Sequence, residues 1–564
     1  MYVRVVSTPN SPRKSVRVAG SIRQGYKVKQ VIIHHVGIAS DDEEVEKLKR
    51  IGREWIAKEL LREEQVSKQL TLLPAEQVQE KAVLLEQASD RRKGRKPKTT
   101  LQDISSEDRV CLKDLVEEKR IIEGIHDVAG SMYEKIGYDA LLKRDKDKEM
   151  LKDLVLARLA HPASKYATQK ILDKQFSINH DLDSLYRLMD KVTPKIGEIK
   201  QMACAQTLTW TNNTIDILFF DCTTLYFEST EVDEVRKFGY SKDHRFNTTQ
   251  VVLALATNSD GLPIGYELFE GNKAEVKTLL ECLNSWQSLF KIGTVCFVAD
   301  RAMMSDDNLK TLEEAGHRYV IAAKLRSMSA ELKAKILDEK HYTVQSFGDD
   351  VGWVGEFKYQ SRRLVVSYKT GRAKRDNHQR NQIVDKIRKR LGAIGKTEKL
   401  ISNKGVKKYT KSEQSQTLLD ESKIALDAEW DGLHGVISNI EEGPGTELLK
   451  RYGRLWKIEE SFRLNKHTLS MRPIYHFKPE RIKAHIAICY MAFSVLRSME
   501  YVAKLTQKIT PQELLSELTN VQASYYQNVK TGRRYRMPGA FSHAASKIYR
   551  AFGLQRRNHA QELI

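Results

Sequence analysis

Three acidic residues stand where buried segments would deliver them. Asp221 closes the apolar run Ile215-Asp-Ile-Leu-Phe-Phe, and Asp300 closes the run from Ile292 to Ala299. Glu459 lies in YGRLWKIEESFRLNK, residues 452–466, a Pro-free stretch of good helix formers with its single Gly near the start. That composition predicts one helix. Tyr452, Glu459 and Lys466 recur every seven residues, about two turns less 20°, so on one helix they share a face. Leu455, Ile458 and Phe462 run along the same side, which sets the phenol, the carboxylate and the ammonium at the edge of a buried stripe. Each feature alone has an ordinary explanation: a strand-end Asp usually caps a turn, and helix charges snorkel to water. Carboxylates brought together from separate segments, however, are what general acid–base and metal-assisted chemistry both require.

The elements that would position these acids belong to a large, basic, globular chain. With 564 residues, 64.8 kDa and 41% hydrophobic residues there is core for several domains. Lys and Arg number 94 against 74 Asp and Glu, a net charge of +20, and such an excess most simply faces a polyanion, nucleic acid first. No amphipathic anchor or lipidation signal points to an acidic membrane instead. The long apolar stretch Ile482 to Val502 is interrupted by Lys483, His485, Arg497 and Glu500 and reads as a core helix, so no membrane partner is expected. The opening MYVRVVSTPN has no signal-peptide apolar region. Six scattered cysteines without C-x-x-C spacing argue against zinc and disulfides and suit a reducing cytoplasm.

Along the chain, composition and periodicity divide it into six parts. Residues 1–107 read as a basic β/α module with the Gly/Pro-punctuated basic linker 89–98, expected to bind DNA. Residues 108–210 are helical almost throughout. Residues 211–326 give three strands (215–221, 249–257, 263–270, the last two joined at Asp260-Gly261), a helix (274–290), a strand (292–299), a helix (305–315) and a strand (318–323). Residues 327–425 change to short alternating strands and a basic helix, which reads as a β-rich inserted domain. Residues 426–503 return to the core with the final acid, and 504–564 carry Tyr525, Tyr526 and Arg533-Arg-Tyr-Arg536 for dimerisation or DNA contact.

This order of strands and helices is that of a ribonuclease H-like α/β fold, a mixed sheet flanked by helices in which the first and fourth strands are neighbours. From about Phe219 to Met499 the chain resembles the DDE transposases of bacterial insertion sequences, the branch with a Tyr-Arg-Glu-Lys signature and a β-rich insertion. The resemblance rests on Phe220-Asp-Cys-Thr-Thr, Gly239-Tyr-Ser-Lys-Asp-His-Arg245, Pro263-Ile-Gly-Tyr-Glu-Leu-Phe-Glu-Gly-Asn272, Val298-Ala-Asp-Arg-Ala-Met-Met-Ser, Leu455-Trp-Lys-Ile-Glu-Glu-Ser-Phe-Arg463 and Arg472-Pro-Ile-Tyr-His476.

The resemblance implies Asp221, Asp300 and Glu459 as the catalytic, metal-binding triad, with Glu460 the rival for the third place. It implies Tyr452 and Lys466 as contacts to DNA phosphates. The signature places an Arg three residues after the Tyr, where this chain has Leu455; Arg454 stands one residue early, about 100° around the helix. Arg301 and Lys457 are further basic groups beside the acids. Three carboxylates and no cysteine suit hard divalent ions, two Mg²⁺ with Mn²⁺ as a substitute. The implied activity is cleavage of phosphodiesters at the ends of an insertion sequence and joining of the freed 3′-OH to target DNA, by a homodimer in a synaptic complex in the bacterial cytoplasm. A Mg²⁺-dependent endonuclease of the same fold and a DNA-binding protein without chemistry are the competing readings; no Gly-rich cofactor loop supports a small-molecule enzyme.

Overall fold

The computed structural model describes residues 2–7, 14–24, 27–39, parts of 44–56, and 110–563 apart from short stretches, chiefly 240–246, 274–277, 287–295, 301–304 and 392–407. The chain divides into two compact units, Met1–Val110 and Cys111–Ile564.

In the first unit β1 (Tyr2–Ser7), β2 (Lys14–Gln24) and β3 (Lys27–Ala39) form an antiparallel sheet in that order. Val16 and Val18 are buried while Arg17 between them is not, the period of two that a half-buried strand imposes. Val16, Ala39 and Val45 make a small core. The basic linker 89–98 lies outside the described residues.

The second unit opens with β4 (Leu115–Ile122) and the helices α1 (Gly130–Ile136), α2 (Asp145–Ala160), α3 (Lys165–Ile171), α4 (Leu182–Val192) and α5 (Ile196–Trp210). There follow β5 (Ile217–Tyr226), β6 (Gln250–Thr257), β7 (Pro263–Glu270), β8 (Cys296–Ala299), α6 (Asp306–Glu314), β9 (Arg318–Ala322) and α7 (Ala330–Leu337). Then come β10 (Tyr342–Phe347), β11 (Asp350–Tyr359), β12 (Arg362–Tyr368), α8 (Thr370–Leu391), β13 (Thr410–Glu413), β14 (Gln416–Leu419), α9 (Glu421–Ala428) and β15 (Leu433–Ser438). The chain closes with α10 (Gly445–Gly453), α11 (Trp456–Arg463), α12 (Pro479–Lys504), α13 (Pro511–Thr519), β16 (Gln522–Asn528), β17 (Arg534–Pro538), α14 (His543–Ala551) and β18 (Gln561–Leu563).

A nine-stranded mixed sheet runs β10-β11-β12-β15-β9-β8-β5-β6-β7. Only the β5–β8 and β8–β9 pairs are parallel. Both faces are covered, which explains why β5, β6 and β8 read as continuous apolar runs and not as alternating ones. Phe219, Leu253 and Val298 face one core, with α12 and the helices before β5; Phe220, Ala254 and Phe297 face the other, with Trp286 and Leu312.

Two segments take a definite place in the sheets. The strands read as a β-rich insertion join the core sheet: β12 pairs antiparallel with β15, so β10, β11 and β12 extend it. Their alternating pattern carried no sign of which edge they would join. In the segment after residue 504, read as serving dimerisation or DNA contact, β16 pairs with β4, about 400 residues earlier, in a sheet ordered β18-β17-β16-β4. The helix α12 is long and apolar enough to cross a membrane by length and composition, and 89% of its apolar window is buried inside the protein.

Candidate active site

Asp221 lies within β5, not at its end. The β-formers Thr223, Thr224 and Leu225 carry the strand on to Tyr226, paired throughout with β6. What ends near Asp221 is the parallel ladder to β8, whose last partners are Phe220 and Ala299. Asp221 and Asp300 are thus the residues that follow the last paired positions of two adjacent parallel strands. Alternation along β5 places Asp221 on the face of Phe219, and Asp300 follows Val298 by two residues on the same count. Asp221 is half-buried, and its Oδ1 accepts a hydrogen bond from the Cys222 amide at 2.7 Å. Asp300 is exposed. Arg301 lies outside the described residues, as do Tyr240 to Arg245.

The predicted single helix 452–466 is broken. Gly453 ends α10, and Arg454 and Leu455 form a turn before α11 begins at Trp456. Across it the amides of Leu455, Lys457 and Ile458 bond the carbonyls of Tyr452, Arg454 and Leu455, the tighter i to i−3 pattern. At the other end Leu464–Thr468 loosens into a π turn that carries Lys466. A tightened turn and a widened one change the angle per residue, so the seven-residue spacing does not define one common face. The Tyr452 ring packs against His434 of β15, ring centroids 5.0 Å apart. Arg454 and Glu459 are exposed, and Lys466 is half-buried.

Glu459 lies on α11, in the layer over the Phe219 face. Ile458 and Phe462 belong to the core that covers the Phe219 face of the sheet, and α11 packs on β5 and β6. Asp221, Asp300 and Glu459 therefore belong to one side of one sheet. Among the described residues, no three Asp, Glu, His or Cys side chains are gathered into a group able to hold a metal ion. The donor chemistry itself, carboxylate oxygens without sulfur, fits a hard divalent cation.

The neighbouring Glu460 has a different task, and sequence reasoning missed the group that sets it. Arg497 of α12 is buried and reaches Glu460 Oε2 with both Nη atoms at 3.2 Å, Glu500 with Nη1 at 2.6 Å and the Gly261 carbonyl with Nε at 3.0 Å. Lys504 bonds the other oxygen of Glu500. The signal available was an Arg and a Glu three residues apart inside an otherwise apolar helix. Lys457, half-buried with its ammonium 4.5 Å from the Trp456 ring centroid, is held below the usual lysine range by burial and by the cations Lys504 and Arg497, with Glu460 opposing.

Comparison with known proteins bears on this arrangement. No curated protein matches the chain. A cryo-EM structure of the piggyBac transposase synaptic complex with hairpin DNA is similar over 70% of this chain and 76% of its own, at 10% identity and a TM-score of 0.36. Residues 212–495 match the transposase DDE domain. That span covers half of the chain and includes Asp221, Asp300 and Glu459, so the protein belongs to the DDE-domain transposases.

Proposed function

We propose that the protein is a transposase of a bacterial insertion sequence with a ribonuclease H-like core, which cleaves phosphodiesters at the element's ends and joins the freed 3′-OH to target DNA. The observation that supports it best is the parallel register of β5 and β8, which makes Asp221 and Asp300 side-by-side successors of Phe220 and Ala299, under the layer that bears Glu459. In this reading Asp221, Asp300 and Glu459 hold two Mg²⁺ ions, or Mn²⁺ in their stead. When bound, such ions stabilise charge on the attacking and leaving oxygens of an in-line displacement. Lys466, Lys457, Arg454 and Arg301 hold the DNA backbone against the acids, while Tyr452 fixes the turn between α10 and α11 and offers a phenol to phosphate. The +20 charge supplies affinity over the wider surface. The partners are element ends and target DNA, bound by a homodimer in the cytoplasm.

A DNA-binding protein without chemistry is the rival reading, and on its side is the absence of a gathered acidic group among the described residues. One assay separates the two: Mg²⁺-dependent nicking and strand joining on a duplex carrying the element's end, with wild type and Asp300→Asn. Asp300→Asn keeps the side chain's size and the basic surface, so end binding persists. Activity falls by orders of magnitude, since each 1.36 kcal/mol of lost stabilisation is about tenfold in rate. Equal activity in both proteins would remove Asp300 from the site and with it this mechanism.

A further inference from the structure

A second cationic site lies away from the acids. Between α2, α3, the loop 470–476 and α12 is a cavity of about 590 Å³ lined by Arg158, Lys165, Tyr186, Arg472, His476 and His485. Arg158 is 4% exposed and Lys165 3%. Among the described residues Arg158 reaches only carbonyl oxygens, those of Leu469 and Ser470, at 3.5 Å. Among the described residues no hydrogen bond or ion pair engages the Lys165 ammonium, and no carboxylate pairs with either cation. The two histidines do not supply negative charge: His485 Nε2 lies 3.1 Å from the Met471 carbonyl, and the His476 ring packs 5.2 Å from the His485 ring.

Two buried cations without a counter-charge destabilise the folded chain unless something compensates them. We infer that this cavity is a binding site for a phosphate group, clamped by Arg158 and Lys165. A phosphate dianion balances a pair of cations that a single carboxylate would leave half-compensated, and its tetrahedral oxygens accept from a guanidinium fork and an ammonium together. The volume exceeds the need of the anion alone, leaving room for a sugar or base beside the Tyr186 ring. The site is distinct from the acids: Arg472 lies over the Tyr226 ring, 5.2 Å from its centroid, and Tyr226 is five residues beyond Asp221 on β5, roughly 17 Å along the strand.

The phosphate could be carried by DNA or be free, and the first source rests on the transposase reading while the site itself does not. The probe is inorganic phosphate, titrated calorimetrically into the full chain and into Lys165→Met and Arg158→Gln. Wild type binds, and each variant binds about ten- to a hundredfold more weakly. Lys165→Met removes an unpaired buried charge, so without phosphate it melts at the same temperature as wild type or higher. Phosphate affinity within twofold across the three proteins overturns the proposal, as does failure of wild type to bind. A duplex carrying the element's end then assigns the source. If DNA carries the phosphate, the slope of log affinity against log salt falls by about one in Lys165→Met; if the slope is unchanged while phosphate affinity is lost, the ligand is a free phosphate compound. Both outcomes support the site, and neither depends on the result with Asp300→Asn.

Discussion

Arg497, buried in the middle of α12, grips Glu460 of α11 with both terminal nitrogens at 3.2 Å. The grip fixes the roll of α11 about its axis, and the next-door Glu459 is exposed as a result of being about 100° away. The same guanidinium also holds the β6–β7 turn through the Gly261 carbonyl. Gly261 has φ +81°, and a Cβ there would collide with Arg497 Nη2, so only glycine lets the two meet. Arg497→Met leaves the buried Glu500 and the largely covered Glu460 without their shared partner and costs about 3–5 kcal/mol in denaturant unfolding. Gly261→Ala costs about 1–2 kcal/mol from its backbone alone, with the clash in addition. In the double variant the clash term disappears, so the combined loss is smaller than the sum. Strict additivity would mean that the turn and the arginine are not coupled.

The division of labour between adjacent glutamates is open to a direct comparison. Glu459→Gln alters an exposed side chain, so its unfolding free energy stays within about 0.5 kcal/mol of wild type, while Mg²⁺-dependent strand joining collapses. Glu460→Gln loses a charge from the Arg497 network and shows the reverse: lower stability, with activity retained in whatever fraction is folded. The opposite pattern would make Glu460 the third acid.

Much of the core is legible in the sequence, and the reasons are physical. A short apolar run with no polar alternation suits a strand covered on both faces. In β5 Leu218 and Phe220 turn to one core while Phe219 turns to the other, so the run itself was enough to place the strand. The adjacency of Asp221 and Asp300 followed from element order. What the pattern did not carry was local backbone detail. Good helix formers surround Gly453, so propensity alone predicted an unbroken helix through it, and the turn at Arg454 and Leu455 depends on how α10 packs against β15 while α11 packs against β5. Nor does a lone Arg in an apolar helix announce its partners, since Glu460 and Gly261 lie 37 and 236 residues away from Arg497.

The π turn that carries Lys466 bears on phosphate binding. Lys466→Ala weakens binding to cleavable ends and lowers the salt slope by about one, as loss of a single phosphate contact does. Measured by anisotropy over a salt series, an unchanged slope would return Lys466 to an ordinary solvated role.

Lys165 makes the stability of the folded chain depend on pH in an unusual direction. Burial first, and then Arg158, bring its ammonium down to about 7 from the ordinary 10.5, with Cys489 opposing. The other charged or titratable groups facing the cavity are Arg472, Tyr166, Tyr186, Tyr475, His476 and His485; His476 is brought down to about 3, by burial and then by Lys165 and Arg158. Between about pH 7 and 10.5 the unfolded chain holds the Lys165 proton and the folded chain does not. Unfolding therefore takes up a proton, and stability rises with pH across that window. Below about pH 7 the folded chain carries the buried charge and its full cost. Lys165→Met lacks both charge and cost, so its advantage over wild type in denaturant unfolding is largest near about pH 6 and shrinks toward about pH 10. Phosphate at saturating concentration shrinks it at the acid end as well, because a bound anion compensates the ammonium. A difference between the two proteins that stays constant from about pH 6 to about pH 10 would show that Lys165 keeps its proton at an ordinary affinity, and the cavity would then hold no desolvated cation.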